Sequence, residues 1–294
     1  MRITSQMSVD NAIYHMGDNL ERLNALNEKI ASGKQFQTMS DDPARAASAL
    51  SLRSTLQANQ NYIDNDQVVG DWLSANELAF KQIVDVGTRA TVLGQQGISD
   101  TMSLQERSAL ANEIDELLTD SVNIANSQHM GKYIFAGLTS RTQPFTLNAA
   151  RSAVTASNDP HSIQVDISPG QTLTTNFNGQ MVFQGMFNGL IQLRDALLSN
   201  DSTAIQTAVA VLQDSMDPIN SARTTNGARQ RQLKLTMDTM DKTRTQIKSL
   251  LSDKEDVNMA EAISMLNNQE TSYQAVIQVS SRAMNLPSLF DTMR

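Results

Sequence analysis

Apolar residues recur at alternating steps of three and four at both ends of this chain, and a stretch of strand-like alternation lies between them. Near the N-terminus Val9, Ile13, Met16, Leu20, Leu23, Asn27 and Ile30 follow one another in this way. Toward the C-terminus Met259, Ile263, Leu266, Glu270, Tyr273, Ile277, Ser280 and Met284 do the same. An apolar repeat averaging ~3.5 residues keeps its seam facing a neighbour only when the helix winds around one. Each end therefore calls for a helical partner, and the other end is the nearest candidate. The polar seam members Asn27, Asn59, Asn76 and Glu270 admit two readings: they are solvated where the seam is open, or they fix register as a buried Asn does.

The segments between the repeats can be placed from their punctuation. Ser32-Gly33-Lys34 ends the first helix, with Gly33 just past its end. Asp42 before Pro43 fits an N-cap followed by proline at the first helical position. A helix is predicted from Pro43 toward Leu93, with Val69, Leu73, Phe80, Ile83 and Ala90 on its seam, until Gly94-Gln95-Gln96-Gly97 interrupts it. Ser103 and Glu106 form a capping box for the next, which carries Leu110, Ile114, Leu117, Ser121 and Ile124 and ends near Gly131.

From Lys132 the period changes. Tyr133-Ile134-Phe135 favours a strand, Ile163, Val165 and Ile167 alternate with polar residues, and Pro169-Gly170 is a turn. Asn178-Gly179 carries a strong hairpin signal and predicts pairing of 172–177 with 180–184. Helical spacing returns with Leu190, Leu193 and Leu197, then Ile205, Val209, Leu212, Met216 and Ile219, then Leu233, Met237, Met240, Arg244, Ile247 and Leu251. Pro287 stops the closing repeat and leaves an apolar tail with Leu289 and Phe290.

The expected fold is mainly α: a long coiled-coil helical bundle formed by both chain ends, with a small antiparallel β domain inserted in the middle. The expected divisions are terminal segments 1–40 and 255–294, ordered only on assembly; helical rod halves 41–137 and 188–254; and the β domain 138–187. Composition agrees. Of 294 residues only 4% are aromatic, Trp72 is the single tryptophan, and Met occurs 15 times. Long helices packed on narrow seams suit such a chain better than one thick core, because a two-helix seam buries only about two residues in seven.

Charge and chemistry narrow the function classes. There are 23 basic against 31 acidic side chains and no Lys/Arg tract, so nucleic acid is a poor candidate partner. No stretch approaches the ~18 apolar residues of a membrane span, and no cleavable signal opens the sequence. The absence of Cys excludes disulfides and thiolate metal sites without naming a compartment. Asp41-Asp42 is better explained as turn and cap than as an acid–base pair. Asp64-Asn65-Asp66 fails as a calcium loop, because Val69 and Ala75 stand where the glycine and the bidentate acid belong. His15, His129 and His161 are scattered, and neither a phosphate loop nor a nucleophile elbow is present. No catalytic, cofactor or metal residues are assigned, and the chain is not expected to be an enzyme. Tyr133, Phe145, Phe177 and Phe183 are expected in the small core rather than stacking on sugars.

Residues 26 to 54, LNEKIASGKQFQTMSDDPARAASALSLRS, resemble the N-terminal signature of the bacterial flagellin superfamily, with the SGK turn and the DDP cap between two coiled-coil helices. The pairing with a C-terminal heptad helix matches as well. The opening MRIT, the run Gly131 to Gly137 and the modest central domain resemble the hook-associated branch better than flagellin itself.

That resemblance implies a secreted, extracellular structural subunit of the flagellum. It would be exported unfolded by the flagellar type III apparatus and assembled as a homo-oligomeric ring between the hook zone and the filament. The implied partners are flagellin, the preceding hook-associated protein and an export chaperone on the C-terminal segment, with no nucleic acid and no membrane. A minor flagellin is the alternative, and a helical signalling module is the reading from another class. Combined with the heptads, it assigns the assembly interface to Ile13, Leu20, Leu23, Ile30, Leu266, Tyr273, Ile277, Leu289 and Phe290. The turn and cap fall to Gly33, Asp42 and Pro43.

Overall fold

The computed structural model describes residues 2–284. The helices are α1 (Arg2–Ser32), α2 (Pro43–Gly97), α3 (Leu104–Ala125), α4 (Gly179–Ser199), α5 (Ser202–Asp214), α6 (Met216–Glu255) and α7 (Met259–Met284). Between α3 and α4 lie β1 (Gln128–His129), β2 (Lys132–Tyr133), β3 (Phe145–Leu147), β4 (Val154–Ala156), β5 (Gln164–Ser168) and β6 (Gln171–Thr174). The protein is mainly α, its N- and C-terminal helices pack together, and its middle carries short antiparallel sheets. Two compact units emerge, Met1–Ala58 with Thr243–Arg294, and Asn59–Lys242.

The Asn59–Lys242 unit holds the main core. α3 packs on α4 and α4 on α5, while Phe80, Ile83, Ala90 and Leu93 of α2 are fully buried in the same cluster. Six phenylalanines, Phe80, Phe135, Phe145, Phe177, Phe183 and Phe187, fill its centre in edge-on and tilted pairs; Phe135 and Phe183 meet at 4.7 Å and 82°. Such T-shaped contacts set the positive ring edge against the negative face. The Arg229 guanidinium lies 4.5 Å over the Phe177 ring. Phe145, Phe177 and Phe183 are thus core residues, and Tyr133 is half-buried.

Two expectations from sequence are corrected here. α2 does not stop at Gly94 but continues to Gly97. Gly94 is required by packing, because a side-chain carbon there would come within 2.5 Å of Val209 and 3.1 Å of Leu193. Nor does Asn178-Gly179 make a hairpin. Asn178 is the N-cap of α4, its Oδ1 accepting from the Gln180 and Met181 backbone N–H groups, and residues 180–184 are helical. Gly179 lets the chain pass Phe135 and Phe145, whose atoms an added carbon would meet at 3.0 and 2.8 Å.

The strands form three separate two-stranded sheets, each pairing neighbours in sequence. The turn Pro169-Gly170 closes β5 on β6, with Gly170 at φ +78°. Ile167 and Leu173 of that hairpin pack with Val69 and Leu73 of α2 and Leu233 of α6 in a second, smaller cluster.

Candidate assembly surface on the terminal helices

α1 and α7 pack against each other within the unit formed by the chain ends. The face of α1 that α7 shields contains Val9, Ala12, Met16, Asn19, Leu23, Leu26 and Ile30; the facing residues of α7 are Ala262, Leu266, Gln269, Tyr273, Val276 and Ser280. Both sets still step by three and four, as a two-helix seam demands. Every second position, however, is displaced by one residue from the column the apolar pattern suggests. Ala12, Asn19 and Leu26 stand in place of Ile13, Leu20 and Asn27, and Ala262, Gln269 and Val276 in place of Ile263, Glu270 and Ile277.

One column of the seam thus holds Ala12, Asn19 and Leu26 with Ala262, Gln269 and Val276, while Ile13, Leu20, Ile263 and Ile277 stay outside it. Ile13 is 61% exposed, Leu20 43%, Ile263 46% and Ile277 41%. Met7, Tyr14, Met259, Met265 and Val279 are exposed as well. Of the interface residues named from sequence, the pairing brings together Leu23, Ile30, Leu266 and Tyr273, all half-buried, and leaves Ile13, Leu20 and Ile277 facing outward. Leu289 and Phe290, like the stop at Pro287, lie outside the described residues. Asn27 and Glu270 are exposed, which favours the solvated reading for them; Asn59 and Asn76 are buried. The residues that sequence reasoning missed are Asn19 and Gln269. Gln269 Nε2 donates to Asn19 Oδ1 at 2.7 Å and to the Asn19 backbone oxygen at 3.3 Å, a polar layer inside the pair.

The base of the pair is held by a clasp. Gly33 takes φ +69° just past α1, as expected for a helix end. Its carbonyl accepts from Val257 N–H at 2.9 Å, while Gln35 N–H donates to the Glu255 carbonyl at 2.6 Å. Between these two bonds Lys34 pairs with Asp256 as a short antiparallel bridge. Lys34 Nζ lies 3.3 Å from Glu255 Oε2 and 2.7 Å from Asp256 Oδ1. Arg53 grips Glu255 with two nitrogens, Nε at 2.7 Å from Oε1 and Nη2 at 2.8 Å from Oε2. Burial works to raise the Glu255 pKa, but the hydrogen bonds and charges of Arg53 and Lys34 outweigh it and hold the carboxyl below its usual range.

The turn between α1 and α2 is capped by both aspartates. Asp41 Oδ2 accepts from the Gln37 and Thr38 backbone N–H groups at 2.9 and 2.8 Å, and Asp42 Oδ1 accepts from Arg45 N–H at 3.0 Å, with Pro43 as the first residue of α2. Their roles are structural, as the sequence suggested. Three or more metal-ligating side chains do not gather anywhere among the described residues, and no described helix is long and apolar enough to cross a membrane.

Comparison with known proteins matches both ends of the chain. Residues 3–140 match the bacterial flagellin N-terminal helical region, and residues 198–290 match the bacterial flagellin C-terminal helical region. The flagellar hook-associated protein 3 of Salmonella typhimurium (strain LT2) is 25% identical over 227 residues, covering 75% of this chain and 69% of that protein. Its Escherichia coli (strain K12) counterpart is 23% identical over 216 residues, covering 73% and 65%. The chain thus spans about two thirds of the length of these relatives. Among solved structures, a flagellar hook-associated protein from Vibrio parahaemolyticus aligns with TM-score 0.68 at 19% identity, over 74% of this chain and 100% of that one.

Proposed function

The chain belongs to the bacterial flagellin family, and on that footing we propose that it is a structural subunit of the flagellum, placed at the junction between the hook and the filament. The hook-associated relatives support the position. The observation that carries the mechanism is the uncovered apolar column on each terminal helix, Ile13 and Leu20 on α1 and Ile263 and Ile277 on α7. Exposed apolar columns that flank a completed seam mark a second interface rather than a finished surface. Further copies of the chain and the adjoining flagellar proteins cover them on assembly, giving a homo-oligomeric ring.

Segments 1–40 and 255–294 order fully in that step, since much of their apolar surface is buried only against a neighbour. The same property suits export as an unfolded chain through the flagellar type III apparatus, with a chaperone holding the C-terminal segment, and places the product outside the cell. Leu289 and Phe290 extend this interface. The protein is a building element, not a catalyst.

A minor flagellin is the second reading, favoured by the match of both terminal regions to those of flagellin itself. Deleting the gene separates the two. Hooks without filaments, with flagellin lost into the medium, are expected of a junction; intact filaments, or filament loss with no flagellin escaping, would refute it.

A further inference from the structure

Asp66 is the most anomalous side chain in the Asn59–Lys242 unit. It is 0% exposed, and neither carboxylate oxygen has a hydrogen-bond partner. A lone ionised carboxyl without partners is expensive to bury and favours its neutral form. The group stands on the inward face of α2, one turn after Ile63 and one turn before Val69, both buried.

Two other elements close over this stretch of α2. On α6, Met240 Sδ accepts from Asn59 Nδ2 at 3.1 Å, and Leu233 packs with Val69. Asp66 falls between those two contacts. The β5–β6 hairpin is the second cover, for Ile167 and Leu173 join the same cluster, and its tip residues Ser168 and Gln171 line a groove with Thr236, Thr239 and Met240 of α6. The side chains that point into this layer, Leu233, Met237, Ile167 and Leu173, are apolar. Within residues 59–73 of α2, 231–244 of α6 and the hairpin, the charged residues besides Asp66 are Asp64 and Asp71 on α2, Arg231, Lys234, Asp238, Asp241, Lys242 and Arg244 on α6, and Asp166 on β5. All are exposed except the half-buried Arg244, and none reaches the Asp66 carboxyl.

We propose that the β5–β6 hairpin is a proton-gated flap on the α2/α6 layer, seated while Asp66 carries its proton and lifting as that proton is lost to solvent. Lifting lets water reach the carboxylate and uncovers Val69, Leu73 and Leu233. Burial pushes the Asp66 pKa up to about 6, in agreement with the geometry. A carboxyl raised in the closed state favours closure most at low pH, and the advantage is lost as pH rises through that value. With an ordinary carboxylate pKa in the open state, the open population is about tenfold larger at pH 8 than at pH 5.

Amide hydrogen exchange on the full chain, corrected for intrinsic rates, tests this. Residues 164–174 of the native protein should lose about tenfold in protection between pH 5 and 8 and level off above pH 6, with α4 amides unchanged as the control. Asp66→Asn should make the hairpin's protection independent of pH, and Asp66→Leu should do the same should the Asn variant fail to fold. Equal protection of the native hairpin at both pH values, or the same pH dependence in a folded variant, overturns the proposal. If neither variant folds, the native profile decides: protection that keeps falling above pH 7 refutes it.

Discussion

Gln269 donates to Asn19 across the α1/α7 pair, from Nε2 to Oδ1 at 2.7 Å, in a column where the neighbouring positions on both helices are apolar. A polar pair in a seam costs stability relative to an apolar one, but it fits only one register. Replacing both by Leu is expected to strengthen the pair and loosen its register. Cysteines introduced at Met16 and Tyr273 should cross-link efficiently in the native background. In the Asn19→Leu, Gln269→Leu background they should share cross-linking with positions one heptad away. Unchanged cross-linking would show that the polar layer does not set register.

Leu20 and Leu23 lie one turn apart yet have different tasks. Leu23 faces α7, whereas Leu20 faces outward. Leu23→Asp should weaken the terminal pair by about 1–2 kcal/mol, the scale of partial burial of a Leu. Leu20→Asp should leave the pair intact and abolish incorporation into the flagellum. Circular dichroism of the purified chain, together with motility of a deletion strain carrying each variant, separates the two. A motile Leu20→Asp strain would remove that column from the interface.

Glu255 makes the clasp sensitive to acid. Its pKa is lowered in the folded protein, so its contribution is complete above the unfolded value and is lost as pH falls through the folded one. Because Lys34 and Arg53 are about half exposed, solvent screens the pair, and Glu255→Gln is expected to cost roughly 1–2 kcal/mol. Denaturant titration of native and variant chains should show that difference at pH 7 and its progressive loss as the medium is acidified below the ordinary carboxylate range. A constant difference would assign the effect to packing.

Gly70 and Gly94 stand in the same helix under opposite constraints. At Gly70 an added carbon meets only Leu233, at 3.5 Å, an ordinary contact, so Gly70→Ala should gain up to about 1 kcal/mol from helix propensity. At Gly94 the approach to Val209 outweighs that gain, and Gly94→Ala should lose roughly 1–3 kcal/mol. Thermal or urea unfolding measures both; equal signs would contradict the packing argument.

The helices and their ends were largely legible in the sequence, because caps and turns are local chemistry. Gly33, Asp42 with Pro43, and Ser103 with Glu106 stand where their side chains and backbone freedom placed them. What failed was context. Asn-Gly is a hairpin turn only when extended residues flank it; before an amphipathic run the same Asn caps a helix, and the Gly serves a close approach that no local pattern announces. The terminal seam was ambiguous for a related reason. Ala12, Ile13, Asn19, Leu20, Leu26 and Asn27 offer two adjacent columns beside the shared one, and hydrophobicity alone selects Ile13 and Leu20. The fold instead puts Ala12, Asn19 and Leu26 inside and leaves Ile13, Leu20 and Asn27 outside, a choice that hydrophobicity alone does not announce.

The clasp also changes what kind of search the chain ends face. Lys34 and Asp256 are 222 residues apart in sequence, and closing so long a loop carries a large entropic penalty. Once Gly33–Val257 and Gln35–Glu255 are joined, α1 and α7 diverge from a single point like the arms of a helical hairpin. The remaining loop is a few residues long, and the logarithmic dependence on loop length lowers the closure penalty by about 3 kcal/mol. Two helices from opposite ends of the molecule thereby acquire the proximity of neighbours in sequence, and their pairing becomes a zippering event that starts at the base and runs toward both termini.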